Sequence, residues 1–85
     1  MQNIEDYTIK DLKENIPKKL GMNIKRFRKV KKLTQSELAL IIGKDRQYLY
    51  KIEKGKVSPT ITTIALICVA LEISLSELLN DVKLF

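Results

Sequence analysis

TQSELALIIGKDRQYLYKIEKGK, residues 34–56, reads as two short helices joined by a glycine turn. Thr34-Gln-Ser-Glu37 is a capping box: the Thr34 hydroxyl accepts from the Glu37 amide while the Glu37 carboxylate reaches back to the Thr34 amide. It launches a helix through Ile42, which Gly43 ends by supplying a left-handed residue. Asp45 is suited to cap a second helix, which Gly55 stops after Lys54. About eight residues of helix, a glycine turn and about nine more form the outline of a helix-turn-helix. The second helix is lopsided. Leu49 and Ile52 fit a core, whereas Arg46, Gln47, Tyr48, Tyr50, Lys51 and Lys54 do not. An ordinary surface helix reads this way, and so does a helix that meets nucleic acid.

The flanking segments read as helical too. Pro17 suits the first position of a helix running to about Lys32. Leu20, Ile24 and Phe27 form its apolar stripe, and Lys25, Lys29 and Lys32 line another face. On the other side, Ser58-Pro59 is expected to cap and start a helix through Ile61, Ile64, Ala65, Ile67 and Cys68 to about Leu71. Ser74 and Glu77 make a second capping box, opening a last helix through Leu78 and Leu79. Residues 1–16 are a flexible arm or a short helix near 5–14, and 81–85 are a tail. Residues 17–80 make one small all-α domain, in which no segment alternates with strand period.

Composition narrows the function. The formal net charge is +6, and its distribution matters more than its size. Residues 17–56 hold thirteen Lys/Arg against three acids, whereas 1–16 hold two against four and 57–85 one against three. Such concentration suits a face that binds a polyanion. There is no histidine and a single cysteine, Cys68, so no metal site, disulfide or cofactor is expected and no catalytic constellation stands out. Cys68 reads as a small core hydrophobe. The longest apolar run, Ile64 to Leu71, is far short of the roughly 20 residues of a membrane span. With no apolar leader at the N-terminus, a cytoplasmic location is expected.

From Gly21 to Leu79 the chain resembles the Cro/C1-type (XRE-like) helix-turn-helix family of phage and bacterial repressors. The resemblance rests on Gly21, Ile24, Arg28, Thr34-Gln35, Leu38-Ala39, Ile42-Gly43, Leu49, Ile52-Glu53, Gly55, Pro59, Leu71, Leu75 and Leu78. It implies a five-helix lambda-repressor-like DNA-binding domain, here with an N-terminal extension. It also implies that the helix of about 45–54 enters the major groove of double-stranded DNA. By position, Arg46, Gln47, Tyr50 and Lys51 would read bases. Arg and Lys suit guanine acceptors and Gln suits adenine. Gln35 would meet a phosphate at the start of its helix, with Thr34, Lys54 and Lys56 also on the backbone. Tyr48 would pack on the helix surface or contact backbone. Arg28 and Glu53 correspond to a family pair that ties the first helix to the end of the recognition helix. Asp45-Arg46-Gln47-Tyr48 is also similar to the matching segment in restriction–modification controller proteins.

The chain departs from the family at several positions. Lys44 occupies a turn position that is usually apolar, so its stem must snorkel or the turn must shift. Glu72 stands where glycine often ends the fourth helix, which disfavours a left-handed residue there. Leu40, Ile41, Leu66 and Val69 are apolar where the family is polar, and such a surface invites association. Leu66, Val69 and Ile73, with the C-terminal LNDVKLF, are expected to form a homodimer interface, and residues 1–16 to cover Leu40 and Ile41. The expected function is a small repressor or autoregulator acting as a homodimer on a palindromic operator. The alternatives are a protein-interaction module, an antitoxin that binds both a partner and its operator, or a restriction–modification controller. The acidic N-terminal segment is where a protein partner would dock.

Overall fold

A computed structural model describes residues 9–82 and places them in five helices with no strand among the described residues. These are α1 (Ile9–Val30), α2 (Gln35–Ile41), α3 (Arg46–Glu53), α4 (Ile61–Leu71) and α5 (Leu75–Leu78). One core joins them: Leu20 and Ile24 of α1 meet Leu38 and Ala39 of α2, Leu49 and Ile52 of α3, Ile67 and Leu71 of α4, and Leu78 of α5. None of α2–α5 exceeds 11 residues. Helices so short are marginal alone, and shared burial holds them.

The first helix corrects the sequence reading. Pro17 does not open it: α1 runs from Ile9 straight through Pro17. The expected helix near 5–14 is thus continuous with it over 9–14, while residues 5–8 lie outside the described part. An interior proline gives up a hydrogen bond and crowds the carbonyl four residues earlier, a cost of roughly 3 kcal/mol. Pro17 is buried here. Leu12 and Ile16, both half-buried, prolong the stripe of Leu20 and Ile24 by i, i+4 steps. Packing on both sides of the proline offsets the break.

Both capping boxes form. Thr34 Oγ1 accepts from the Glu37 amide at 3.0 Å and the Thr34 amide donates to Glu37 Oε1 at 2.8 Å. Ser74 and Glu77 do the same at 3.0 and 3.1 Å. The fourth helix begins two residues later than expected from Ser58-Pro59. Its N-cap is Thr60, whose hydroxyl accepts from the Thr63 amide, so the competing cap nearer the apolar run wins.

α1 to α4 all end alike. A left-handed residue follows each, and the next amide returns to a carbonyl five residues back: Leu33 to Arg28, Lys44 to Ala39, Lys56 to Lys51 and Ile73 to Cys68. These are Schellman turns. Gly43 and Gly55 supply the positive φ in two of them, but Lys32 (φ 61°) and Glu72 (φ 57°) do so in the others. Glu72 therefore adopts the conformation that its side chain was expected to disfavour. Two contacts hold it there: Ile73 packs on the core, and Glu72 Oε1 lies 2.8 Å from Lys31 Nζ, joining the ends of α4 and α1. That hydrogen bond and charge hold the Glu72 carboxyl below its ordinary value.

Asn23, buried within α1, ties down the other end of the chain. Its Nδ2 donates to Leu78 O at 2.9 Å and to Asp81 Oδ1 at 2.8 Å, and Lys19 Nζ is 3.0 Å from Asp81 Oδ2. The described chain thus closes back onto its first helix.

Candidate nucleic-acid interface

The inner face of α3 is fixed to the core and its outer face is left free. Asp45 Oδ1 accepts from the Tyr48 amide at 2.8 Å, capping the helix, and Leu49 and Ile52 are buried beneath it. At the far end Glu53 is buried with Arg28. Arg28 Nε donates to Glu53 Oε2 at 2.6 Å and Nη2 to Oε1 at 2.9 Å, a bidentate pair. Arg28 Nη1 donates to Leu33 O at 2.8 Å, so the same guanidinium also holds the turn after α1. Gln35 Nε2 donates to Glu53 Oε1 at 3.0 Å. One carboxylate therefore fastens α1, α2 and α3 together.

Backbone proximity tightens the arrangement. A Cβ at Gly21 would run into the Ile52 carbonyl and come within 2.7 Å of the Glu53 carbonyl oxygen. Only glycine lets α1 cross the end of α3 this closely. A Cβ at Gly55 would likewise lie 2.7 Å from Lys18 Cα. The sequence pattern marks both glycines, but not the contacts that require them.

On the outer face, Arg46, Gln47, Tyr50 and Lys51 are all exposed along one side of α3, with Lys54 exposed just past its end. The Lys54 and Lys56 ammonium groups sit 5.8 and 5.7 Å from the Tyr50 ring centre. Both cations are thereby drawn toward the helix surface. Lys44 is exposed rather than snorkelling into the core, and its ammonium lies 5.0 Å over the Tyr48 ring. Tyr48 is half-buried and packs against the core. Thr34 is exposed beside half-buried Gln35 at the start of α2.

Sequence reasoning missed a groove. A cavity of about 470 Å³ runs between α1 and α3, lined by Lys18, Met22 and Lys25 on one wall and Arg46, Tyr50 and Lys54 on the other. The i, i+4, i+7 spacing of the α1 residues was visible. That this face borders α3 becomes evident only from the Gly21 crossing.

Both α2 and α4 expose apolar side chains. Val69 is 77% exposed and Leu66 46%, whereas Ile73 is half-buried against the core. Leu40 stays 80% exposed and Ile41 57%. Residues 9–16, expected to help cover Leu40 and Ile41, are instead committed to α1, and residues 1–8 lie outside the described part.

The profile of the family described as helix-turn-helix matches residues 24–78. Among known proteins, the chain is similar to the ImmF control region 10 kDa protein of Bacillus phage phi105. The two are 41% identical over 61 residues, 72% of this chain and 68% of the phage protein. It is 31% identical to control protein C.SmaI of Serratia marcescens over 75 residues, covering 88% of this chain and 84% of that one. Its structure resembles the restriction–modification controller protein C.AhdI of Aeromonas hydrophila. The TM-score is 0.70 with 32% identity, over 73% of this chain and 90% of the other.

Proposed function

The chain belongs to the Cro/C1-type (XRE-like) helix-turn-helix family, and on that premise we propose a homodimeric, sequence-specific transcriptional regulator whose α3 enters the major groove of double-stranded DNA. One observation carries the reading. The outer side of α3 is polar and cationic along its length, while its inner side is locked by the Arg28–Glu53–Gln35 network, in which the Arg28–Glu53 pair is buried. A reading surface needs that combination, because side chains meet base edges reproducibly only when their helix is fixed.

Arg46 and Gln47, at the N-terminal end of α3, are the principal base readers, with Tyr50 and Lys51 one turn further. Thr34, Gln35, Tyr48, Lys54 and Lys56 hold the backbone. Gln35 can keep its bond to Glu53 and still offer its amide N–H at the helix start. Leu66, Val69 and the exposed rim of Ile73 form the dimer contact, so that two copies of α3 read half-sites about one helical turn apart. No helix among the described residues is long and apolar enough to cross a membrane, and the proposed protein works on cytoplasmic DNA. It acts as a small repressor or autoregulator.

A second reading has specific support. Likeness to two controller proteins, together with the Asp45–Tyr48 segment, favours control of a restriction–modification operon. That reading shares the same DNA-binding face.

Selection of binding sites from random duplexes at about 150 mM salt tests the proposal. Enrichment of a two-fold palindrome is the expected result. Binding without enrichment, lost as salt rises, would leave only a phosphate-gripping face. Absence of binding would put a protein-interaction role first.

A further inference from the structure

We infer that α1 supplies a second line of DNA contacts: Lys18 and Lys25 hold the sugar–phosphate backbone flanking the groove that α3 enters. This rests on the reading of α3 as the recognition helix. The two lysines stand on one side of α1, seven residues and so about 10.5 Å apart. The Gly21 crossing brings that side against α3. Lys18 is fixed at the C-terminal end, where its backbone touches Gly55 close to Lys54. Lys25, two turns further along α1, lines the same cavity as Gln35 and Arg46. Four cations thus line the groove, Lys18 and Lys25 from α1 and Arg46 and Lys54 from the side of α3.

Met22, 61% exposed, lies between Lys18 and Lys25 along α1, and Tyr50, 39% exposed, lies between Arg46 and Lys54 along the chain, and both offer apolar surface. The single acidic side chain in the lining is Glu53, which is buried and already neutralised by Arg28. Among the described residues, neither Lys18 nor Lys25 makes an ion pair. Four cations and no available carboxylate repel one another unless an anion occupies the space. Charges spaced along an open trough suit an extended polyanion better than one small anion, and apolar surface between them suits deoxyribose. Continuity with the outer face of α3 selects the DNA backbone as the occupant.

Each phosphate contact contributes about 0.9 to the slope of log affinity against log salt. The full chain and its Lys18→Ala/Lys25→Ala variant should be titrated between about 50 and 200 mM salt against two duplexes, the selected site and an unrelated sequence. Lys18→Gln/Lys25→Gln guards against a packing effect of the shortened side chains. Lys10→Ala/Lys13→Ala, earlier on the same helix, controls for loss of net charge. The expected result is a slope lowered by about 1.8 per protomer on both duplexes. Alanine and glutamine variants should agree, the control should match wild type, and the selected sequence should not change. A slope equal to wild type, or one lowered as much by the control pair, overturns the inference. Should wild type select no site, the α3 reading fails, but the slope on unrelated duplex still decides whether Lys18 and Lys25 touch phosphate.

Discussion

α3 and α4 are built alike on the inside and unlike on the outside. Each buries aliphatic side chains in the common core, Leu49 and Ile52 from α3 and Ile67 and Leu71 from α4. Outward, α3 shows Arg46, Gln47 and Lys51, followed by Lys54 at its end, whereas α4 shows Ile61, Leu66 and Val69. Core packing cannot account for the contrast, since both outer faces lie outside the core. The two outer faces therefore offer different chemistry. A cationic, hydrogen-bonding face suits a polyanion, and exposed aliphatics suit another apolar surface.

The largest expected effect comes from removing what makes α3 rigid. Glu53→Ala leaves Arg28 buried without its carboxylate and strips Gln35 of its acceptor. Breaking one side of a buried pair typically costs about 3–5 kcal/mol, a large share of the stability of a small domain. Urea unfolding should show that loss. A variant as stable as wild type would mean that the pair does not anchor the helix.

The outer face of α4 should behave in the opposite way. Leu66→Lys/Val69→Lys alters positions on the outer face of α4, so each protomer should keep its helical fold, read by circular dichroism. Sedimentation should nevertheless shift from dimer to monomer, and affinity for a two-fold site should fall with it. A wild-type protein already monomeric at micromolar concentration would remove the dimer from the account.

The smallest effect tests the helix ends. Lys32 carries a left-handed backbone that glycine adopts freely. Lys32→Gly should therefore stabilise the domain by at most about 1 kcal/mol, read as a higher urea midpoint with unchanged slope. A lower midpoint would show that the lysine side chain contributes more than its backbone costs.

These contrasts also explain what the sequence made legible. Capping boxes are local: Thr34 with Glu37 and Ser74 with Glu77 are three residues apart, so their geometry follows from spacing. The Arg28–Glu53 contact is not local, and it entered through family resemblance rather than periodicity. Pro17 misled because a proline at a helix start and a proline buried within a longer helix leave the same letter. Only tertiary packing separates them. Glu72 misled because its left-handed turn is held by Lys31 and Ile73, one of them in the distant turn after α1. The groove beside α3 was illegible for a similar reason: Lys18 and Lys25 look like solvated charges until Gly21 sets α1 against α3. The outer face of α3 was plain in the sequence, because alternation of buried Leu49 and Ile52 with polar neighbours assigns its sides directly.

On the proposed reading, the outer face of α3 discriminates between sequences beyond attracting phosphate. The most direct test compares wild type with Arg46→Ala/Gln47→Ala, measuring Kd at about 150 mM salt on the selected site and on an unrelated duplex. Each lost bidentate base contact is worth about 1–3 kcal/mol. The variant should therefore lose at least about 30-fold on the selected site and far less on the unrelated duplex, with the urea midpoint unchanged. Equal loss on both duplexes, or no loss on either, would contradict the claim.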